Sequence, residues 1–148
     1  MSKLIIVIGL PGSGKTEYLK KLKAEKKVSA FYDDFQHKAY KKDHDPRLSR
    51  HFGPLIAKLK AGQNIAISDI LGTQEPYLDL LLNSVVAILP AQKIELHYFN
   101  NDPEACRINV VRRARPKETL EKELKFIEKN SPTYVIPKIK RLKVYKED

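Results

Sequence analysis

Eight residues near the start of the chain, Gly9-Leu10-Pro11-Gly12-Ser13-Gly14-Lys15-Thr16, match the phosphate-loop pattern G-x-x-x-x-G-K-[ST]. Each residue type has a chemical reason to be there. Glycines at 9, 12 and 14 let the backbone wrap closely around an anion with its N–H groups turned inward. A helix that begins at Lys15 adds its unpaired N–H groups and the positive end of its dipole. Pro11 and Ser13 complete the loop, Lys15 brings a point charge to the outer phosphates, and the Thr16 hydroxyl is a natural ligand for Mg²⁺. The pattern predicts binding of a nucleoside triphosphate; an ordinary glycine turn is the plain alternative.

Further residues could act on such a ligand. Asp69 follows the apolar run Ile65-Ala66-Ile67-Ser68, where an acid would help hold Mg²⁺ directly or through water, or would cap the local turn. Asp33 and Asp34 follow a second apolar stretch, Val28 to Tyr32. Adjacent residues at a strand end point to opposite sides, so one carboxylate could accept a proton from a hydroxyl while the other caps the turn. Arg107, Arg112, Arg113 and Arg115 fall in one helical segment and its end. At about 100° per residue, Arg107 lies inside the face of Val110, Val111 and Ala114, which directs it inward. An inward arginine near a nucleotide suggests a clamp on phosphates, carried by a mobile lid; salt bridges to Glu104 or Glu118 are the alternative. None of His37, His44, His51 and His97 has a partner at metal-site spacing.

Regular elements must bring these residues together. Leu4 to Ile8 is a continuous apolar run, as in a strand buried on both faces of a parallel sheet. A helical pattern runs from Lys15 to about Lys26, with Leu19 and Leu22 on one side. Short strands are expected at Val28–Tyr32 and Asn64–Ser68. Between them Asp45-Pro46 reads as a helix cap followed by proline, with a bend at Gly53-Pro54 and a stop at Gly62. Thr73 is expected to cap a heavily buried helix that ends before Pro90. Lys93–Phe99 alternates as a less buried strand, and Asp102-Pro103 and Pro116 open two more helices, to about Ala114 and Ile127. Ile139–Tyr145 suits a lysine-rich edge strand. Strands alternating with helices imply an α/β domain, and ligands in such sheets bind beyond the carboxyl ends of the strands. That rule brings the loop, Asp33-Asp34 and Asp69 to one rim.

A length of 148 residues suits a single domain, 1–148, with no repeat or linker to divide it. Lys and Arg number 28 against 18 Asp and Glu, a formal charge of +10, which favours anionic partners or a well-solvated surface. Cys106 is the sole cysteine, so no intrachain disulfide forms, and it reads as a small buried hydrophobe. The first apolar run is too short for a signal peptide and no stretch approaches a membrane span, so a cytoplasmic location is expected.

Taken in order, the phosphate loop, Tyr32-Asp33-Asp34-Phe35, Ile67-Ser68-Asp69 and the arginine-rich helix resemble the small P-loop kinases, and most of all the kinase domain of phage-type polynucleotide 5′-hydroxyl kinases. The likeness extends to about Asn130. It implies a three-layer P-loop fold with a mainly parallel sheet and a short arginine-bearing lid. It also implies Asp33 as the general base and Arg107, with Arg112 or Arg113, as the clamp. Gln36 stands where that family has an arginine for the acceptor-side phosphate, which leaves Arg47 or Arg50 as substitutes. Zeta-toxin-like, gluconate and antibiotic kinases share the same core signals. The expected activity is ATP- and Mg²⁺-dependent transfer of the γ-phosphoryl group to a hydroxyl, either a polynucleotide 5′ end or a small-molecule or nucleoside acceptor. A slowly hydrolysing or non-catalytic nucleotide-binding protein is the alternative of a different class.

Overall fold

The apolar run at the start of the chain becomes the centre of the sheet. In the computed structural model, which describes residues 2–35, 45–137 and 141–144, strand β1 is Lys3–Ile8 and all but its first residue are buried. It pairs in parallel with β3 (Ile65–Ser68) on one side and with β4 (Lys93–Phe99) on the other, placing Ile6 opposite both Ile67 and Leu96. With β2 (Ala30–Tyr32) and β5 (Arg141–Leu142) at the edges, the order is β2-β3-β1-β4-β5, and every pairing is parallel.

Strand alternation sends neighbouring side chains to opposite faces. Ile5 and Val7 pack with Leu19 and Leu22 of α1 (Lys15–Ala24). Leu4, Ile6 and Ile8 belong to a larger core on the other face. That core takes Leu55, Ile56 and Leu59 from α2 (Phe52–Lys60) and Leu78, Leu81 and Val85 from α3 (Glu75–Ile88). Ala105, Cys106 and Val110 of α4 (Pro103–Arg112) and Ile127 of α5 (Lys117–Asn130) join it too. The result is the expected three-layer arrangement. Because β1, β2 and β3 run the same way, Gly9, Asp33 and Asp69, each just past a strand end, share one rim.

Some local expectations are corrected. Asp45 does cap through its side chain, accepting from the Arg47 N–H, but the turn it starts is a 3₁₀ segment, Pro46–Leu48. Helix α2 begins later, and Gly53-Pro54 falls in its first turn, where proline lacks no needed hydrogen bond, rather than at a bend. Thr73 does not cap α3: Gln74 occupies that position, and the Thr73 hydroxyl donates to the Ile70 carbonyl within a 3₁₀ turn, Ile70–Thr73. The edge strand at the C-terminus is reduced to Arg141–Leu142 among the described residues. Gln36, His37 and His44 lie outside the described residues.

Candidate functional site

The phosphate loop is built by packing as much as by sequence. Gly12 and Gly14 have φ of 84° and 106°, left-handed values that a side chain rarely tolerates. A Cβ added at Gly12 would lie 2.5 Å from the Cys106 carbonyl oxygen and 2.9 Å from Val110, so α4 leaves no room there. Asn109 reinforces that contact by donating from Nδ2 to the Gly12 carbonyl at 2.9 Å. At Gly9 an added Cβ would meet the Ser13 hydroxyl at 2.4 Å. Ser13 is fully buried, and its Oγ has no hydrogen-bond partner among the described residues. Such a group is costly to leave unpaired, and a ligand at the loop would give it a partner.

Lys15 is only 8% exposed, and its Nζ donates to the carbonyls of Gly9 and Leu10, each at 2.9 Å. Burial lowers its pKa to about 8, opposed by the nearby Cys106, Asp33 and Asp69 and assisted by the charge of Arg113. An incoming polyanion would stabilise the ammonium form. An unpaired buried hydroxyl, a buried cation and two glycines that admit no side chain make a cradle that fits a polyphosphate.

Asp33 lies beside this cradle. Its Oδ2 accepts from the Thr16 hydroxyl at 2.5 Å and its Oδ1 from the Ser68 hydroxyl at 2.7 Å. Sequence reading did not single out Ser68 for this role; the pairing follows from β2 and β3 being neighbours. Asp34 has φ of 51°, a conformation aspartate tolerates, and its side chain is exposed. Asp69 is 4% exposed and performs the capping role: Oδ1 accepts from the Leu71 N–H at 3.0 Å and Oδ2 from the Tyr77 hydroxyl at 3.2 Å. It still lines the same cavity as Asp33. No cluster of three or more His, Cys, Asp or Glu suited to a metal ion occurs among the described residues.

Two cavities flank the loop. One, of about 450 Å³, is bounded by Gly14, Glu17, Asn109 and Arg112. The other, of about 410 Å³, is bounded by Pro11, Lys15, Asp33, Asp34, Ser68 and Asp69. Gly12, Thr16, Arg113 and Arg115 line both. Those four therefore form the wall that the two cavities share.

The arginines required the structure. Arg107 is exposed and lines neither cavity, which corrects the expected inward direction. The reason is that α4 buries Ala105, Cys106 and Val110, while Val111, which helical spacing places on the apolar face, is 56% exposed. Arg113 and Arg115 are the pair brought together, and their partner is Glu123 rather than Glu104 or Glu118. Arg47 is held by Asp45 through Nε–Oδ1 at 3.0 Å and Nη2–Oδ2 at 2.7 Å, and neither Arg47 nor Arg50 lines a cavity at the loop.

Tyr134, also unforeseen, fixes the rim from below. Its buried hydroxyl lies 2.5 Å from the Phe99 carbonyl oxygen and 3.3 Å from that of Ile8, tying the ends of β4 and β1 together. The remaining described histidines serve locally: His97 meets the Tyr18 hydroxyl and Glu95, and His51 stacks on Tyr32. Cys106 is fully buried and burial pushes its thiol up to about 11, in keeping with a packing role.

No family model matches the chain, and no curated protein matches it. Solved structures do. A gluconokinase from Sinorhizobium meliloti 1021 aligns over 98% of this chain and 84% of its own, with a TM-score of 0.59 and 12% identity. An uncharacterized protein from Eubacterium ventriosum ATCC 27560 covers 96% and 88%, with 0.52 and 13%. A shikimate kinase from Bacteroides thetaiotaomicron covers 88% and 80%, with 0.50 and 13%. The chain thus shares the α/β fold of these solved structures. At this identity the likeness carries the fold alone. Among the described residues, no helix is long and apolar enough to cross a membrane.

Proposed function

We propose that this protein is a phosphotransferase that moves the γ-phosphoryl group of ATP to a hydroxyl. The observation that carries the reading is that two cavities lie side by side at the loop and share Gly12, Thr16, Arg113 and Arg115 as lining. Direct transfer needs such a shared wall, because donor and acceptor must both reach the transferring group. The nucleotide belongs in the cavity of Arg112 and Asn109, with its phosphates in the loop formed by Gly9, Pro11, Gly12, Ser13, Gly14 and Lys15. The acceptor belongs in the cavity of Asp33 and Asp34.

Lys15 and the loop N–H groups balance phosphate charge without moving, since the lysine is already buried against the loop. Ser13 gains the hydrogen-bond partner it lacks. The Thr16 hydroxyl donates its hydrogen bond to Asp33, which would leave its oxygen lone pairs free to hold Mg²⁺, and Asp69 would assist from across the cavity through water. When bound, Mg²⁺ supplies charge neutralisation at the phosphate oxygens. Asp33, held at both oxygens by Thr16 and Ser68, is the base that takes the acceptor proton. Arg113 and Arg115 stabilise the equatorial phosphate charge from the lid, and Arg112 reaches the nucleotide side. Arg107 has no part in the clamp, since it lines neither cavity.

For the acceptor, a polynucleotide 5′-hydroxyl has one specific observation in its favour. Beside the acceptor cavity, and sharing Ile70 with it, lies a groove of about 370 Å³ lined by Phe126 and by Lys122, Lys125 and Lys129 of α5. The three lysines make no ion pair with another described residue. Lysines and an aromatic side chain lining one groove suit phosphates and a base. The second reading, a small hydroxyl compound, is supported by the names of the gluconokinase and shikimate kinase neighbours. The test is transfer of label from γ-labelled ATP to 5′-hydroxyl DNA and RNA and to a panel of small polyols, at low and high salt. Labelled oligonucleotide that disappears steeply with salt is expected. Transfer only to a small compound would move the acceptor to the second reading. ATP binding with no transfer to any acceptor would leave a nucleotide-binding protein.

A further inference from the structure

Arg113 and Arg115 line both cavities, and one carboxylate holds them both. Glu123 Oε2 accepts from Arg113 Nη1 at 3.5 Å and Oε1 accepts from Arg115 Nη1 at 3.4 Å. Between the two arginines Ala114 turns the chain through φ of 52°, ending α4 so that its flanking residues converge on one position of α5. The Glu123 side chain is 13% exposed against 33% and 47% for the arginines, so it lies beneath them. It lines the acceptor-side cavity and not the other. Both contacts exceed the roughly 2.7–2.9 Å of a strong charge-assisted bond, and neither is a bidentate fork. The charge of Arg113 also reaches Lys15, where it favours the neutral amine. The cations at this mouth therefore repel one another, and Glu123 is the carboxylate in contact with two of them.

On the triphosphate reading given above, we propose that Glu123 is a positioning residue: a resident anion that gathers Arg113 and Arg115 over the phosphate loop and releases them to incoming phosphates. Two effects follow. Before nucleotide arrives, Glu123 keeps the lid cations from pushing apart. As it arrives, Glu123 competes with the phosphates for the same guanidinium groups. Its contacts are long and single, so the phosphates win the exchange. Removing the charge ends the competition and leaves the arginines less well placed for transfer. A merely structural glutamate would give the opposite sign, because a disturbed lid binds nucleotide more weakly.

The experiment uses the full chain, with ATP and Mg²⁺ followed by calorimetry. Glu123→Gln is expected to bind about two- to fivefold more tightly than wild type, the range set by partly exposed ion pairs. Glu121→Gln, the same charge change at an exposed site on the same helix, should bind like wild type. Glu123→Asp draws the carboxylate back by one methylene and should fall between wild type and Glu123→Gln; it also serves if the glutamine variant folds poorly. In a chain carrying Arg113→Ala and Arg115→Ala, Glu123→Gln should have no further effect. Equal or weaker binding by Glu123→Gln overturns the inference. So does a gain matched by Glu121→Gln, or one that survives loss of both arginines. A wild-type chain that fails to bind ATP would sink the triphosphate reading itself, whereas normal binding without the Glu123 effect sinks this inference alone.

Discussion

The floor of the site and its lid are made differently. The floor, from Gly9 to Thr16 with Asp33, Ser68 and Asp69, sits on the ends of three adjacent parallel strands and is largely buried. Its polar groups are held by short contacts: 2.9 Å from Lys15 to two carbonyls, 2.5 and 2.7 Å from two hydroxyls to Asp33. The lid, where α4 gives way to α5, has exposed arginines and contacts of 3.4 and 3.5 Å to Glu123. A rigid floor can pre-orient charge without reorganising, whereas a loosely held lid can exchange partners. The difference separates the residues that should carry the chemistry from those that should tune it.

The strongest way to break that division is at Asp33. Replacing it with asparagine keeps the size and one acceptor oxygen for the flanking hydroxyls but removes the carboxylate that takes the proton. Turnover should fall about 10²–10⁴-fold if it is the general base, with ATP affinity little changed. Rate and affinity measured separately, with Asp34→Asn beside it, provide the check. An inactive Asp34 variant with an active Asp33 variant would transfer the role to the exposed neighbour.

Next comes Lys15→Ala, which should weaken ATP binding by about 10- to 100-fold, the range for a hydrogen bond to a charged group. Single alanine variants at Arg113 or Arg115 should each cost less than Lys15. Calorimetry on all three decides it, and an arginine variant worse than Lys15→Ala would reverse the contrast between floor and lid.

Two backbone substitutions sharpen the comparison through stability. Gly12→Ala places a methyl group 2.5 Å from a carbonyl oxygen at φ of 84°, and should destabilise the fold by about 1–3 kcal/mol. Ala114→Gly relieves a left-handed alanine but loosens the unfolded chain, two effects of about 1 kcal/mol that nearly cancel. Denaturant melts should therefore separate the pair clearly.

The smallest effect is expected at Cys106. With its thiol pushed up to about 11 by burial, it should resist alkylation of the native protein at pH 8 while reacting readily in denaturant. The sign of its stability contribution follows. Between about 9 and 11 the unfolded chain loses this proton first, so the contribution falls as pH rises through that window. Fast alkylation of the native protein would show that α4 opens away from the loop.

Much of the floor was legible because its signals are local. Glycine and lysine spacing, an apolar run and an acid at each strand end lie within a few residues of one another, and the parallel-sheet rule puts strand ends on one rim. The shared rim of the loop, Asp33 and Asp69 is legible in this way. Ser68 carries no such local signal, because its contact to Asp33 spans 35 positions and exists only because β2 lies beside β3.

The sequence by itself determined the phosphate loop, the alternation of strands and helices and the acidic strand ends, since each follows from residue types at short range. Tertiary structure alone decided which arginines face the site. Apolar residues lie on more than one side of α4, with Ile108 and Val111 exposed, so helical periodicity pointed Arg107 the wrong way. Only the packing of Cys106 and Val110 against Gly12 sets the rotation of that helix. Only the turn at Ala114 and the return of α5 bring Arg113 and Arg115 onto Glu123. The tie from Tyr134 to the ends of β1 and β4 is of the same kind, because its partners are 126 and 35 positions away. Contacts at such range depend on how whole elements dock, and no short pattern of residue types encodes that docking.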